Sequence, residues 1–395
     1  MTAMNTRTIW TAATLLLLSL AAGSAIYLRQ HRLDQLSTEC VTAFHEKNWR
    51  DLEVLARQWT DMQSAPAAQY WLGIALKEQG KFEAAFRAFK SIRLEGPRGI
   101  DGAVERMEIL FHVFQKPLDA IDLADKLLER DRKLASPRRH LIYFHAMMLQ
   151  RPELLQQIKL AIEDHVDLPE HYVYLLSMEE LGFRDADEVT RKWTEATPES
   201  AVLHHASLAR RIRTARGAVL SSPTPESAEE YAFLKSEIVP QLRDLGSKSI
   251  GLDTLLMLAM DDSDTDEASR LLSLVPDAAA NDPCFWRYRG WYAMRTGDLE
   301  QAEQAYRQAL ELHPLAWHTR HEFASVLRLL DRGVEAAAVQ AVAAQGSELV
   351  VEIHRLTHTQ NVNFALLKRI ANYAIDCKSS DIANGILRRQ QTSLQ

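Results

Sequence analysis

From about Leu33 to the carboxyl terminus, apolar residues recur at spacings of three and four, in runs of about 12 to 16 residues broken by short polar or Gly/Pro points. That period belongs to amphipathic helices, and the strict alternation of half-buried strands is absent. Turn-forming residues are sparse: 15 Gly and 13 Pro in 395 residues, where average usage would supply about 28 and 20. Folds built from many tight turns, glycine-rich nucleotide loops or β-sandwiches are thereby disfavoured. Short helices joined by short turns pack as antiparallel neighbours, so an all-α succession of helix pairs is expected. The expected helices include 169 to 181, 184 to 196, 333 to 345 and 348 to 358. The longest interruption, 217–227, reads as a loop or joint between an N-terminal half at 33–216 and a C-terminal half at 228–395.

Ahead of this body stands a segment of different character. After a short tail at 1–8, Ile9 to Leu28 carries no charge, and as a helix at ~1.5 Å per residue it would be about 30 Å long. A single transmembrane anchor is expected at 9–28. A secretion signal is the alternative, with Arg7 as its basic start and Gly23-Ser24-Ala25 as the small-residue cleavage site. Apolar character continues to Leu28 and stops at Arg29, which favours the uncleaved anchor. The short tail places the body outside a bacterial inner membrane, a single-pass protein with a periplasmic body.

Charge narrows the partners. The chain has 53 acidic and 46 basic side chains and a net charge of -7, and its first 32 residues hold Arg7, Arg29 and Arg32 with no acid. The remainder is more acidic still, which argues against general nucleic-acid binding. Cys40, Cys284 and Cys377 lie far apart, odd in number and without C-x-x-C spacing, and read as packing residues.

Self-similarity then defines the kind of helical chain. Residues 283–316 place Trp286 and Gly290 in one helix, Gly297 in a turn, Ala302, Tyr306 and Ala309 in a second helix, and Pro314 after it. This closely resembles the tetratricopeptide repeat, a 34-residue helix-turn-helix unit, with departures at Arg289 and Ala293. Residues 66–99 resemble it through Leu72, Gly73, Gly80, Ala85, Phe89 and Pro97, departing at Gln69 and Ile92. Residues 317–350 continue more weakly through Ala324, Ala336 and Ala343, and 169–199 reads as a divergent member with Gly182 in its turn. Small residues at Gly290 and Ala302, and at Gly73 and Ala85, are expected to let paired helices approach, with Tyr306 and Phe89 filling the space to the next pair. Trp49, Trp59, Trp71 and Trp193 read as core between pairs. The resemblance implies a right-handed α-solenoid in which neighbouring pairs bury one another, ended by a polar cap with Arg388, Arg389, Gln390 and Gln391.

Motifs that carry chemistry are missing. Asp262, Asp264 and Asp266 have the alternate spacing of a calcium loop, but Glu267 stands where the turn needs Gly and Ser273 where a bidentate Glu closes the shell. A capping box from Asp264 to Glu267 explains the run better. His318 and His321, and His354 and His358, have metal-compatible spacing without a completing Cys or carboxylate, so no metal site is expected. No phosphate-binding glycine loop, dinucleotide fingerprint, zinc-protease motif or nucleophile elbow occurs. No cofactor, small-molecule substrate or catalytic residue is expected.

In the resembled family, one stripe of each first helix lines a concave groove that holds a partner peptide. Carried onto this chain, the groove residues are Tyr70 and Trp71 early, then Arg287, Tyr288, Trp291, Arg295, His318, His321 and Arg328. Trp291 and Glu322 replace the asparagines of the family's carboxylate clamp, which counts against that mode of binding. The basic and aromatic late groove suits a protein segment with acidic and apolar residues. The expected function is a non-enzymatic membrane-anchored scaffold; an envelope-assembly or chaperone accessory for unfolded clients is the alternative, and an enzyme with an unrecognised site the remote one.

Overall fold

The computed structural model describes residues 6–183, 185–244, 249–356 and 358–392. In chain order the helices are α1 (Thr6–His45), α2 (Trp49–Met62), α3 (Pro66–Glu78), α4 (Phe82–Lys90), α5 (Gly99–Glu108), α6 (Pro117–Arg130), α7 (Ala135–Met147), α8 (Arg151–Glu163), α9 (Pro169–Leu176) and α10 (Ala186–Ala196). They continue as α11 (Ala201–Ser221), α12 (Pro225–Asp244), α13 (Ser249–Asp261), α14 (Thr265–Leu272), α15 (Pro283–Thr296), α16 (Leu299–Leu312), α17 (Trp317–Leu329), α18 (Gly333–His354), α19 (Phe364–Asp376) and α20 (Ser380–Thr392). No strand occurs among the described residues. Local chemistry starts several helices: Asn48, Ser200, Asp264, Asp298 and Asn363 each accept a backbone N–H three residues on.

The membrane anchor expected at 9–28 is corrected, and with it the single-pass, periplasmic placement of the body. Among the described residues no helix is long and apolar enough to cross a membrane. The uncharged run is not a helix of its own but the first half of α1, and Arg29, Gln30, Arg32 and Asp34 follow on the same unbroken helix. Residues 1–5 of the expected tail, and the side chains of 6–14, 16, 17, 19, Gln390 and Gln391, lie outside the described residues.

The chain divides into two compact units, Met1–Phe114 and Gln115–Gln395. The division does not fall at 217–227, because α11 stays helical through Ser221. Buried Leu208, Ile212 and Ala215 of α11 share one core with Leu234, Ile238 and Leu242 of α12, so the hairpin spans the expected joint.

In the first unit, the second half of α1 buries Leu33, Leu36, Cys40 and Ala43 against α2 and α3, and Trp59, Trp71 and Phe89 complete the same core. Trp49 packs at its edge. The aromatic of the second helix lies on the glycine of the first: a Cβ on Gly73 would fall 2.4 Å from Phe89 Cε1. Gly290 repeats this in the second unit, where a Cβ would sit 2.9 Å from the Tyr306 ring, and Tyr306 also reaches the next pair as expected, sharing a core with Phe323, Val326 and Leu327. Gly290→Leu is therefore expected to cost at least about 1 to 3 kcal/mol through overpacking, read as a lowered denaturation midpoint; an unchanged midpoint would refute the register of 283–316.

The second unit departs from an open stack of pairs. The segment expected to pair as 169–199 instead supplies α9, whose residues Glu170 to Leu176 are all buried. A helix without a polar face belongs inside, and α9 packs on α8, α18 and α19 rather than pairing with α10. The two helices expected at 333–345 and 348–358 are one, α18, which is long enough to reach α9. The expected polar cap is a clasp: Arg388 donates to Ile162 O at 2.9 Å and Asp167 Oδ1 at 3.0 Å, and Arg389 donates to Asp167 O. Asp167 is buried and also accepts Tyr172 OH at 2.8 Å. The last helix thus returns to α8 and the start of α9.

Candidate functional site

The best-formed repeat pair, α15 and α16, positions the expected groove residues. Asp282 caps α15 by accepting Cys284 N at 2.9 Å, Pro283 occupies the first turn, and Gly297 ends the helix with φ of 87°. Arg287, Trp291 and Arg295 then follow at four-residue intervals on one face, and His321, Ser325 and Arg328 do so on α17 at intervals of four and three.

The structure uses much of this face internally. Arg287 forms a fork with Glu322, Nε to Oε2 at 3.0 Å and Nη2 to Oε1 at 2.7 Å. Although burial alone pushes it up, the Glu322 carboxyl is held below its usual range by that guanidinium. Tyr288 is buried and donates to Asp253 Oδ1 at 2.7 Å. Trp291, 5% exposed, belongs to the core shared with α11, α12 and α13. His318 is half-buried and stacked on Trp317, with Nε2 3.7 Å from Glu322 Oε1 and Nδ1 4.0 Å from Glu180 Oε1. Burial, then the neighbouring Arg287, lowers its pKa.

A second occupant explains why so little is open. Ser177–Leu181, which follows α9, lies against α15 and α17 as irregular backbone whose polar groups are taken by buried side chains. Arg151 donates from Nε to Met178 O at 2.9 Å and from Nη2 to Glu179 O at 3.2 Å. Arg210 donates to Leu181 O, to Ala146 O and, at 2.8 Å, to Met147 O. The Glu179 carboxylate accepts His318 N and Thr319 N at 2.9 Å and Thr319 Oγ1 at 2.6 Å, capping α17. Behind this, Asp253 joins Arg151 at 2.9 Å and Arg213 at 2.6 Å. Burial raises the Asp282 carboxyl to about 6, with Arg151 opposing.

Of the expected residues in this unit, Arg287, Tyr288 and Trp291 are therefore internal contacts, not walls of a groove open to a partner. Arg295, His321 and Arg328 remain exposed. Arg295 lies 5.7 Å from the Trp291 ring centroid, and Arg328 donates to Ser325 Oγ at 3.1 Å. Neither guanidinium has an ion-pair partner among the described residues. Tyr70 and Trp71 belong to the first unit, where Arg98 stands 5.0 Å and 5.8 Å from their ring centroids; Tyr70 is half-buried and Trp71 buried. Sequence reasoning missed Arg151, Glu179, Arg210 and Asp253. The readable signal was the run HYVYLLSM, apolar on every helical face apart from its His and Ser, which marks a buried segment whose flanking charges need partners.

The structure is all-helical among the described residues, and the family comparison picks out its clearest helix pair. Residues 283–316 match the tetratricopeptide repeat model, so the chain carries a tetratricopeptide repeat there. No curated protein matches the chain. Similar solved structures include the Cut9–Hcn1 hetero-tetramer of the APC/C, 12% identical over 94% of this chain and 81% of that one, TM-score 0.31. Yeast Tom70 is 12% identical over 92% and 97%, TM-score 0.25. Naa15/Naa10 bound to HypK-THB is 13% identical over 93% of this chain and 64% of that one, TM-score 0.28. TM-scores of this size do not establish a shared fold.

Proposed function

We propose that the chain is a non-enzymatic protein-interaction scaffold, and that in its second unit the partner meets the exposed strip of Arg295, His321 and Arg328. The observation that carries this is the strip itself: unpaired guanidiniums on successive first helices, displayed by a tetratricopeptide repeat on a chain of net charge -7. Such forks suit carboxylates, and exposed Leu329 beside Arg328 offers apolar contact. A protein segment with acidic and apolar residues fits this chemistry. The inner face, where Ser177–Leu181 already lies, takes no part.

The test is a crosslinking capture with the full chain and with the double variant Arg295→Glu, Arg328→Glu. Partners that depend on the strip should fall at least about tenfold, the scale of roughly 1.4 kcal/mol, while the melting curve stays that of the parent. Undiminished capture by a folded double variant would overturn the assignment.

A further inference from the structure

The α11–α12 hairpin is built differently from its neighbours. Its helices run for 21 and 20 residues, whereas α13 and α14 have 13 and 8. Beyond Ala215 on α11, and before Leu234 on α12, neither helix has a buried residue. Arg216 bonds Asp261 and Lys235 pairs with Asp262, both at the C-terminal end of α13. These pairs tie the base of the hairpin to the end of α13, and the longer helices carry its tip beyond them.

The tip carries a defined chemistry. On α12, Glu226, Glu229, Glu230, Phe233 and Glu237 fall at i, i+3, i+4, i+7 and i+11, which is one helix face. All five are exposed, and Phe233 is 62% so. Glu229 and Glu230 have no hydrogen-bond or ion-pair partner among the described residues. The helix turns Leu234, Ile238 and Leu242 to the core and leaves this acidic face, with one phenylalanine in it, to solvent.

We propose that the exposed face of α12 docks on the Arg295–His321–Arg328 strip of a second copy of this chain. Two carboxylates without ion-pair partners beside an exposed phenyl ring face two guanidiniums without ion-pair partners, one of them next to exposed Leu329. The acids satisfy the arginines, and Phe233 offers a ring to a cation as well as apolar area. Arg216 and Lys235 tie the hairpin to the end of α13, and the contact we assign is one between copies. It is head to tail: each copy offers a hairpin and a strip, and association continues until a ring closes or a filament grows. The proposal rests on the strip being a partner-binding surface and names the partner.

Charge exchange in the full chain tests it, by sedimentation velocity over a range of concentrations. One variant reverses the hairpin, Glu229→Lys with Glu230→Lys; the other reverses the strip, Arg295→Glu with Arg328→Glu. Wild type should gain mass with concentration, and each variant alone should associate at least about tenfold more weakly while melting as wild type does. Mixing the two should restore association with the variants alternating, because the intact hairpin of one meets the intact strip of the other and the two reversed faces complement each other. A wild type that stays monomeric, variants that associate as wild type does, or a mixture that does not recover would each overturn the proposal. If the wild type stays monomeric while strip reversal still abolishes capture of a foreign partner, this proposal fails and the scaffold reading stands.

Discussion

Replacing Arg151 by methionine is expected to destabilise the second unit by about 3 to 5 kcal/mol, the scale of breaking a buried ion pair from one side. Arg151 is fully buried and serves Asp253 and two backbone carbonyls at once. Methionine fills part of the space but leaves the carbonyls of Met178 and Glu179 without their donor, each a cost of about 1 to 3 kcal/mol. Asp253 would keep Arg213 and Tyr288, so its charge is not abandoned. Adding Asp253→Asn to Arg151→Met should therefore cost less than the sum of the single changes, a coupling readable in a double-mutant cycle. Denaturant titration of the four proteins measures this. A single-variant loss below about 1 kcal/mol would mean that the irregular Ser177–Leu181 backbone is held by something other than this guanidinium.

Acid should weaken the same unit well above the range where carboxylates titrate. Burial, more than their cationic neighbours, pushes the imidazoles of His171 and His313 down to about 3 each. Arg389, Arg139 and Arg138 face His171; Lys159, Arg320 and Arg151 face His313, opposed by the Leu175 carbonyl. In the unfolded chain both imidazoles take a proton near pH 6.5. Above that pH neither state is charged and the folded form loses nothing. Between about 6.5 and 3 the unfolded chain binds the extra protons, so stability falls by up to ~1.4 kcal/mol per pH unit for each histidine. Asp282, raised to about 6, works the other way over part of the window, since it holds a proton in the fold that an ordinary carboxyl would release. One histidine's slope is thus offset between about pH 6 and 4, and the second remains. The denaturation midpoint should be clearly lower at pH 5 than at pH 7.5, and His313→Gln should flatten the difference. Equal midpoints at the two values would show that these imidazoles reach solvent or an unseen acceptor.

Several features were legible along the chain because the forces behind them act within a few residues. The Asp264 cap is one: its carboxylate accepts Glu267 N at 2.9 Å, as the spacing implies. The other half of that box is absent, since Glu267 is drawn to Arg243 and Arg270. Gly290 and Tyr306 marked a close approach correctly, while which ring lies on which glycine emerged from the packed pair. Cys40, Cys284 and Cys377 are buried, as their spacing suggested.

By itself the sequence determined the helical period, the Asp264 cap and the repeat at 283–316, because hydrogen bonding within a turn and a stripe of apolar side chains are local properties. Only the tertiary structure decided that α1 runs unbroken from the uncharged segment into charge, and that α9 and Ser177–Leu181 lie inside the second unit. It also decided that Arg287 and Tyr288 are spent on Glu322 and Asp253. The physical reason is that a charged side chain placed on a helix face has no preferred partner in the sequence. Whether it meets water, another protein or a carboxylate such as Glu179, whose acceptors' donors lie on α17 far along the chain, follows from where the backbone carries them, and burial then makes that one pairing obligatory.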